Sequence, residues 1–329
     1  MRLPCHQNTL ILCNSAIKYS MLLRRIVRFF ILTLLSFIFL QTAVAKDKSI
    51  PQEKWQQLEE LKIFQKAYPD IKFIPAYDKK KEDWLVRVII PAHKETKKKE
   101  IQLYWCESRF LPEEQLENKS NYRKMLYNYQ RSVTDPKNFT KEDIKEIKEF
   151  TSKENRKNGA IDPPFLFNEI YDCKTQKATE QHIVKTTLMG KPLNVHERIV
   201  EPLNRVSKKI QSLPETPELK KFYSTLTRTD CYAWRTVRDT QSRSFHSIGV
   251  AIDILPKGYY QKVIYWGWQK QLRPDDWYMT PLSVRWTPPQ EIIDIFASEG
   301  FIWGGTWAVW DNMHFEYHPE LLINSQDVS

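Results

Sequence analysis

The sequence predicts a protein of the α+β class, because segments with helical patterns and segments with strand patterns both occur in it. Apolar residues recur at helical spacing over residues 52–68, which predicts an amphipathic helix that stops before Pro69. Residues 84–90 and 101–106 are largely apolar and flank a charged loop, which predicts a pair of strands. Residues 250–255 are a further apolar, partly β-branched run, as expected of a buried strand.

The first 45 residues are predicted to be a secretory signal peptide. A basic segment at residues 24–28 is followed by an apolar run at residues 29–40 and by small residues that end at Ala45, the expected cleavage position. The apolar run is shorter than the roughly 20 residues that a transmembrane helix needs, although retention of the segment as an anchor is the alternative. Translation is expected to start at Met21. The expected location is the cell envelope, with the protein either secreted or periplasmic.

The charge of the chain argues against nucleic-acid binding. The formal net charge is +10, and five basic residues and no acidic ones lie within residues 1–45, which leaves +5 for the remaining chain. This diffuse excess suits work near an anionic cell wall or membrane surface and is too weak to indicate a nucleic-acid partner.

Three cysteines, Cys106, Cys173 and Cys231, lie beyond the expected cleavage position. An oxidising compartment would allow one disulfide among them and leave one thiol. The sequence does not select the pair. A bond between Cys106 and Cys173 would tie the N-terminal region to the start of the following domain.

A turn-rich segment at residues 159–164 predicts a boundary between two domains. Residues 46–158 are expected to form a smaller N-terminal domain of mixed α/β structure whose role is unknown. A structural extension is the simplest interpretation, and a surface adaptor and a wall-binding module are the alternatives. Residues 159–329 are expected to form the second domain.

Local patterns predict further elements in both domains. A helix is expected near residues 141–151, and residues 165–171 have the pattern of a strand. Asn194 is a predicted N-cap of a helix over residues 195–210. Residues 291–299 follow two prolines and precede a glycine, which predicts another helix.

Two motifs in the second domain contain the residues of a one-zinc hydrolytic site. Zinc in a catalytic site takes three protein ligands and keeps a fourth position for water. His246, Asp253 and His314 form a sufficient ligand set. Asp311, three residues before His314, is close enough to take a proton from an attacking water, which makes it the candidate base. Any one of these residues alone could be structural, but four of them in two motifs favour a zinc site.

Small residues between His246 and Asp253 fit a turn that leads into a strand. Gly249 would let the backbone bend and approach closely, and Ala251 would leave the metal-facing side uncrowded. Asp253 is therefore expected on the strand at residues 250–255.

The two motifs resemble those of the zinc D,D-carboxypeptidase and L,D-endopeptidase family, which includes the vancomycin-resistance carboxypeptidases and several phage endolysins. The family pattern S-x-H-x-x-G-x-A-x-D is present from Ser244 to Asp253, and the pattern D/E-x-x-H, continued as H-F-E, is present from Asp311 to Glu316. The resemblance covers residues 160–322. It implies a small antiparallel sheet with helices packed against one side and the zinc at the open face.

The resemblance also implies a role for each residue of the site. His246, Asp253 and His314 are the implied zinc ligands, and Asp311 is the implied catalytic base. The family places an arginine at the end of a tyrosine-containing strand, where it polarises the scissile carbonyl and stabilises the oxyanion. Arg235, in the segment Y-A-W-R, matches that arginine and is the second implied catalytic residue.

Several assignments near the site stay open at this point. Arg238 and Arg243 are close enough in sequence to take the place of the matched arginine. Glu316 either orients a ligand imidazole or is structural. The tryptophans within residues 303–310 either wall the cleft or belong to the core, and His318 is expected to be structural.

The function implied by the resemblance is that of a zinc metallopeptidase that hydrolyses an amide bond in peptidoglycan stem peptides. Both a D-Ala-D-Ala carboxypeptidase and an L-Ala-D-Glu-type endopeptidase fit. The alternative is a zinc-stabilised, non-catalytic module that binds cell wall or a protein, but such a module would not need Asp311. The implied cofactor is Zn²⁺ and the implied partner is the stem peptide. No nucleic-acid partner is expected, and a membrane partner only if the signal segment is retained.

Overall fold

The computed structural model describes residues 49–93, 97–258 and 263–325, so the predicted signal peptide lies outside the described residues. The helices are α1 (Gln52–Ala67), α2 (Lys141–Phe150), α3 (Lys153–Asn158), α4 (Phe165–Ile170), α5 (Gln176–Glu180), α6 (Val200–Gln211), α7 (Pro217–Thr225), α8 (Trp266–Leu272), α9 (Gln290–Ser298) and α10 (Pro319–Asn324). The strands are β1 (Lys72–Asp78), β2 (Asp83–Ile90), β3 (Lys99–Cys106), β4 (Arg109–Leu111), β5 (Ile183–Leu188), β6 (Lys191–His196), β7 (Leu226–Asp230), β8 (Ala251–Pro256), β9 (Phe301–Trp303) and β10 (His314–Tyr317). Within the described ranges, no helix is long and apolar enough to cross a membrane.

The N-terminal strands form an antiparallel sheet of order β1-β2-β3-β4, and α1 packs on it. Strands β2 and β3 pair in a register that sets Trp84 opposite Trp105. Phe64 of α1 is fully buried, with its ring centroid 5.3 Å from Trp105 and 5.1 Å from Phe110. Aromatic rings therefore hold the apolar side of the helix on the sheet. The helix predicted over residues 52–68 and the predicted pair of strands are confirmed.

The C-terminal sheet has the order β7-β8-β10-β9, and all of its neighbouring strands are antiparallel. Every residue of β8 is buried except Asp253, which is partly exposed. Helix α9 packs against the sheet through Phe296, whose ring centroid is 4.3 Å from that of Phe315 on β10. Asp253, His314 and Glu316 lie on the face of the central pair opposite to that of Phe315. The predicted α+β class, with small antiparallel sheets and flanking helices, is confirmed.

Two predicted elements differ from the structure. The expected strand at residues 165–171 is the helix α4, in which Leu166, Phe167 and Ile170 are buried; a short apolar run of this kind fits either element. The helix expected over residues 195–210 begins only at Val200. The preceding residues form the hairpin of β5 and β6.

The β5–β6 hairpin explains why Asn194 does not cap a helix. Asn194 pairs with Lys185 across the two strands. The turn between the strands contains Met189 and Gly190, whose φ angles are +49° and +73°. A type I′ hairpin turn requires positive φ at both central residues. Met is unusual at the first of these positions, so the turn could not be recognised from the sequence.

The residues before position 159 contact the C-terminal end of the described chain. Helix α1 packs against α10, and the guanidinium of Arg131 donates to the carbonyl of Leu322 at 2.9 Å. From Gln52 onward the chain forms one compact unit. The boundary between residues 158 and 159 stays a prediction about domain organisation.

The three cysteines Cys106, Cys173 and Cys231 are free thiols, and all three are buried. Burial raises the pKa of Cys106 to about 12 and that of Cys173 to about 11. Because the cysteines are free thiols, the bond considered between Cys106 and Cys173 is absent. Burial also makes the three thiols unsuited to be nucleophiles.

Candidate metal centre

His246 lies in a short 3₁₀ turn, Phe245–Ser247, that leads toward β8. The hydroxyl of Ser244 accepts a hydrogen bond from the backbone N–H of His246 at 3.3 Å and so caps this turn. Gly249 has a φ of +80°, and a Cβ atom there would lie 2.8 Å from the backbone nitrogen of His196. Only glycine fits this position, which is the role that the sequence predicted for it.

The strand register brings the other two candidate ligands together. Asp253 of β8 lies opposite His314 of β10 in the antiparallel pairing. The Nδ1 atom of His314 is 2.8 Å from Oδ1 of Asp253 and 3.3 Å from Nε2 of His246. Nε2 of His246 is in turn 3.3 Å from Oδ2 of Asp253. One ligand atom from each of the three residues lies within 4.8 Å of the others.

The outward-facing ring nitrogens of both histidines have hydrogen-bond partners. The Nδ1 of His246 is 2.6 Å from the carbonyl oxygen of Cys231, to which it donates. The Nε2 of His314 is 2.8 Å from Oε1 of Glu316. Each partner fixes the ring and leaves the other nitrogen free to bind a metal. The open question about Glu316 is thus answered by its position, because it holds His314.

The electrostatics of the cluster favour a cation. Although burial opposes it, the charges and hydrogen bonds of His246 and His314 hold the pKa of Asp253 well below its usual range. Burial is likewise outweighed at His314, whose pKa is raised well above its usual range by Asp253 and Glu316. Two buried carboxylates thus flank one imidazole. Two imidazole nitrogens and a carboxylate that converge in this way form a donor set that fits a divalent metal ion such as zinc.

Asp311 lies beside this cluster, and its backbone carbonyl accepts a hydrogen bond from the backbone N–H of His314 at 3.2 Å. Its backbone N–H donates to the carbonyl of Gly304 at 2.9 Å, and it bridges to Tyr265. Its Oδ1 atom is buried and has no hydrogen-bond partner among the described residues. Burial, together with the charge of Asp253, raises the pKa of Asp311 to about 7 even though His314 opposes the shift. A carboxylate of this pKa is suited to accept and return a proton near neutral pH.

The structure separates the three candidate arginines. Arg243 donates to the carbonyl of Cys173 and, at 2.7 Å, to Oδ1 of Asn168, so its guanidinium is committed to the fold. Arg235 is exposed, and its carbonyl accepts from the backbone N–H of Ser244 at 3.1 Å. The exposed Arg238 lies further along the same loop. The backbone of Arg235 therefore lies beside the turn that contains His246. Its catalytic role stays a prediction.

The tryptophans near Asp311 divide into two groups. Trp303 and Trp310 are buried in the core, at 3% and 1% exposure. Trp307 is only half-buried, and its ring centroid is 5.7 Å from that of His314. Both sequence interpretations thus apply, because two rings belong to the core and one borders the site.

Sequence reasoning missed a set of buried polar residues behind His314. The sequence predicts a structural role for His318 and offers it no spaced partner, yet its Nδ1 is 2.6 Å from Oε1 of Glu320 and its Nε2 is 3.4 Å from Oε2 of Glu316. Against the effect of burial, Glu320 and Glu316 raise the pKa of His318 to about 10. The alternation of Glu316, His318 and Glu320 along the chain was the available signal.

Comparison with known families agrees with the geometry. The sequence model of the D-alanyl-D-alanine carboxypeptidase family matches residues 238–317. This segment of the chain is therefore similar to that peptidase family. The matched segment contains the three candidate ligands and Asp311, which confirms the resemblance drawn from the two motifs. A model of a domain of unknown function matches residues 60–127. No curated protein and no solved structure matches the chain.

Proposed function

We propose that the protein is a zinc peptidase that hydrolyses an amide bond in the stem peptides of peptidoglycan, as a D-Ala-D-Ala carboxypeptidase or as an L-Ala-D-Glu-type endopeptidase. The proposal rests on one observation above all. His246, Asp253 and His314 converge within 4.8 Å of one another, beside the buried carboxylate of Asp311. The match of residues 238–317 to the model of a carboxypeptidase family supports a peptide substrate.

Zinc is the metal that we propose for this donor set. Catalytic zinc sites take three protein ligands from nitrogen and oxygen donors. A zinc ion bound here would act as a Lewis acid that lowers the pKa of water and polarises a carbonyl. The Cys231 carbonyl and Glu316 would hold the two imidazoles in the orientation that presents Nε2 of His246 and Nδ1 of His314.

Asp311 would move the proton in this reaction. Its Oδ1, which has no hydrogen-bond partner among the described residues, would accept the proton of the attacking water, and the same oxygen would return that proton to the leaving amine. A pKa of about 7 suits both steps, because the group must change its protonation state twice in one turnover. Arg235 would contribute positive charge where the oxyanion develops.

A groove next to the site supports an extended substrate. It has a volume of about 630 Å³, which lies within the usual range of ligand pockets. Trp307 lines it, and the ring centroid of Trp307 is 5.7 Å from that of His314, so this side chain lies between the groove and the metal centre. Its other lining residues are mostly apolar or acidic and include Phe139, Glu146, Ile147, Phe150 and Val309. A peptide that lies in the groove would reach Trp307, which borders the ligand His314.

We place this activity outside the cytoplasm, in the cell envelope. The signal-peptide pattern of residues 1–45 and the location of peptidoglycan both support this placement. The net charge of +5 beyond residue 45 suits an anionic wall.

The test is to incubate the purified, zinc-loaded protein with defined stem peptides and identify the products by mass spectrometry. One peptide ends in D-Ala-D-Ala, and a second contains an intact L-Ala-D-Glu bond. We expect one of these bonds to be cut, and His246→Ala protein to cut neither. If the wild type cuts no stem peptide, and Asp311→Asn protein binds cell wall as well as the wild type, the site is a binding module and the peptidase proposal is wrong.

A further inference from the structure

We propose that Tyr68 and Glu320 are positioning residues of the metal centre, so that the N-terminal segment completes a site whose ligands all lie within residues 238–317. Glu316, His318, Glu320 and Tyr68 together are called the ligand-support network below. The inference depends on a metal at the site, as in the proposed function, but it does not depend on which peptide is cut.

The network is an unbroken series of contacts that starts at a ligand. Nε2 of His314 is 2.8 Å from Oε1 of Glu316. Oε2 of Glu316 is 3.4 Å from Nε2 of His318, whose Nδ1 is 2.6 Å from Oε1 of Glu320. The hydroxyl of Tyr68 donates to Oε2 of Glu320 at 2.9 Å. Both oxygens of each carboxylate are therefore used, and the series ends just after α1.

The same network also supports the turn that carries the first ligand. The ring of His318 packs edge-on against Phe245, with centroids 4.5 Å apart. Phe245 immediately precedes His246 in the 3₁₀ turn. A displacement of His318 would therefore affect the orientation of both histidine ligands, through Glu316 on one side and through Phe245 on the other.

Burial makes this network hard to explain by stability alone. Glu320 is 1% exposed, His318 6% and Tyr68 5%. Burying charged groups carries a large desolvation penalty, and apolar side chains of similar volume often stabilise a protein as well or better. Packing between α1 and α10 therefore does not require a carboxylate at position 320. Fixed hydrogen-bond geometry behind a ligand does require one.

The connectivity of the chain shows what each member holds. His314 and Glu316 alternate in β10, so their side chains point to the same side, and His318 follows the strand as the N-cap residue of α10. Glu320 lies in the first turn of α10, which packs against α1. Tyr68 reaches Glu320 from outside the matched family segment. The N-terminal region thus contacts the ligand-support network at Glu320, through the hydroxyl group of Tyr68.

The experiment compares zinc binding in Tyr68→Phe, Glu320→Gln and Tyr104→Phe variants of the full chain. Tyr104 is a matched control, because this buried tyrosine also donates its hydroxyl to a carboxylate, that of Asp78, at 2.8 Å in the N-terminal sheet. The readouts are the zinc Kd from competition with a chromophoric chelator, the visible spectrum of the cobalt-substituted protein, and the unfolding temperature of the metal-free protein.

We expect Tyr68→Phe and Glu320→Gln to raise the zinc Kd by about tenfold, the lower end of the effect of groups that orient ligands, and to change the cobalt spectrum. Tyr104→Phe should change neither. A Kd within twofold of the wild type for both network variants, with an unchanged spectrum, would overturn the inference. So would equal effects from Tyr104→Phe, since the change would then be structural.

The same measurements separate this inference from the proposed function. If the wild type binds zinc and the network variants bind it more weakly, the inference is supported even where no stem peptide is cut. If the wild type binds no zinc, both the inference and the proposed function are wrong. If the wild type cuts stem peptide and the variants bind zinc normally, only the inference is wrong.

Discussion

His314 lies directly opposite Asp253 in the pairing of β10 with β8, and its Nδ1 atom is 2.8 Å from the carboxylate. The two residues are 61 positions apart in the sequence. Antiparallel register alone brings the second motif onto the first. A one-residue slip would turn one of the two side chains to the other face of the sheet. An intact site therefore requires this register of the two strands.

Loss of any one candidate ligand should abolish stoichiometric zinc binding. His246→Ala leaves two protein ligands in place of the three that a catalytic zinc site uses. Metal analysis of the purified protein by mass spectrometry measures the result directly. His196→Ala is a suitable control, because both ring nitrogens of His196 are used outside the cluster: Nε2 donates to the carbonyl of Tyr171 at 2.8 Å, and Nδ1 accepts from the backbone N–H of Arg198 at 3.2 Å. One zinc per chain in His246→Ala protein at unchanged affinity would show that the ligand set is wrong.

The activity should increase with pH up to neutrality. The reaction needs the ionised form of Asp311, and the pKa of this group is raised to about 7 by burial. A bound cation favours the ionised form, so kcat/KM should increase with pH and level off at or below about pH 7. A profile of kcat/KM from pH 4 to pH 9 tests this. An acidic optimum, with activity falling as the pH rises from 5 to 7, would contradict the role of Asp311 as the base.

Asp311→Asn should stabilise the metal-free protein, and only at higher pH. The folded-state pKa of Asp311 is above that of an unfolded chain, so ionisation opposes folding. This effect is absent below about pH 4 and is complete once the pH exceeds about 7. Asparagine resembles the neutral acid, so we expect a gain in unfolding free energy of at least about 1 kcal/mol at pH 8 and none at pH 4. Denaturant unfolding in the presence of a chelator gives both values, and equal differences at the two pH values would contradict the burial of this carboxyl group.

Replacement of Arg235 should affect turnover, whereas replacement of Arg243 should affect stability. Arg235→Ala should lower kcat by roughly 10²-fold while zinc content and stability stay unchanged, because it removes charge at the developing oxyanion. Arg243→Ala should lower the unfolding free energy by about 1–3 kcal/mol, because its guanidinium bonds to Asn168 and Cys173 within the fold. Parallel kinetics and denaturant unfolding separate the two. Unchanged turnover in Arg235→Ala protein would move the catalytic role to Arg238.

Much of the candidate site could be predicted from the sequence, because its residues lie in two short motifs with defined spacing. Gly249 must have positive φ, and the strand after it is apolar, so the segment from His246 to Asp253 indicates its own backbone. The helix α1 was predictable for a similar reason, since its apolar spacing is long and regular. Local patterns of this kind can be recognised without knowing which other elements the segment packs against.

The remaining parts depend on contacts that no local pattern encodes. Tyr68 and Glu320 are 252 residues apart, and no sequence pattern near either residue predicts their contact. The short run at residues 165–170 is apolar in a way that fits a strand or a helix, and only the surrounding packing makes it helical. The commitment of Arg243 to Asn168 is likewise visible only in three dimensions.

The most direct test of the central claim is a comparison of wild type and Asp311→Asn protein in zinc content and in stem-peptide hydrolysis. The substitution keeps the size of the side chain and removes its basicity. We therefore expect one zinc per chain in both proteins and a fall in hydrolysis of about 10²-fold or more in the variant, the scale of general base catalysis. Hydrolysis by Asp311→Asn protein at the wild-type rate, with zinc bound, would contradict the account.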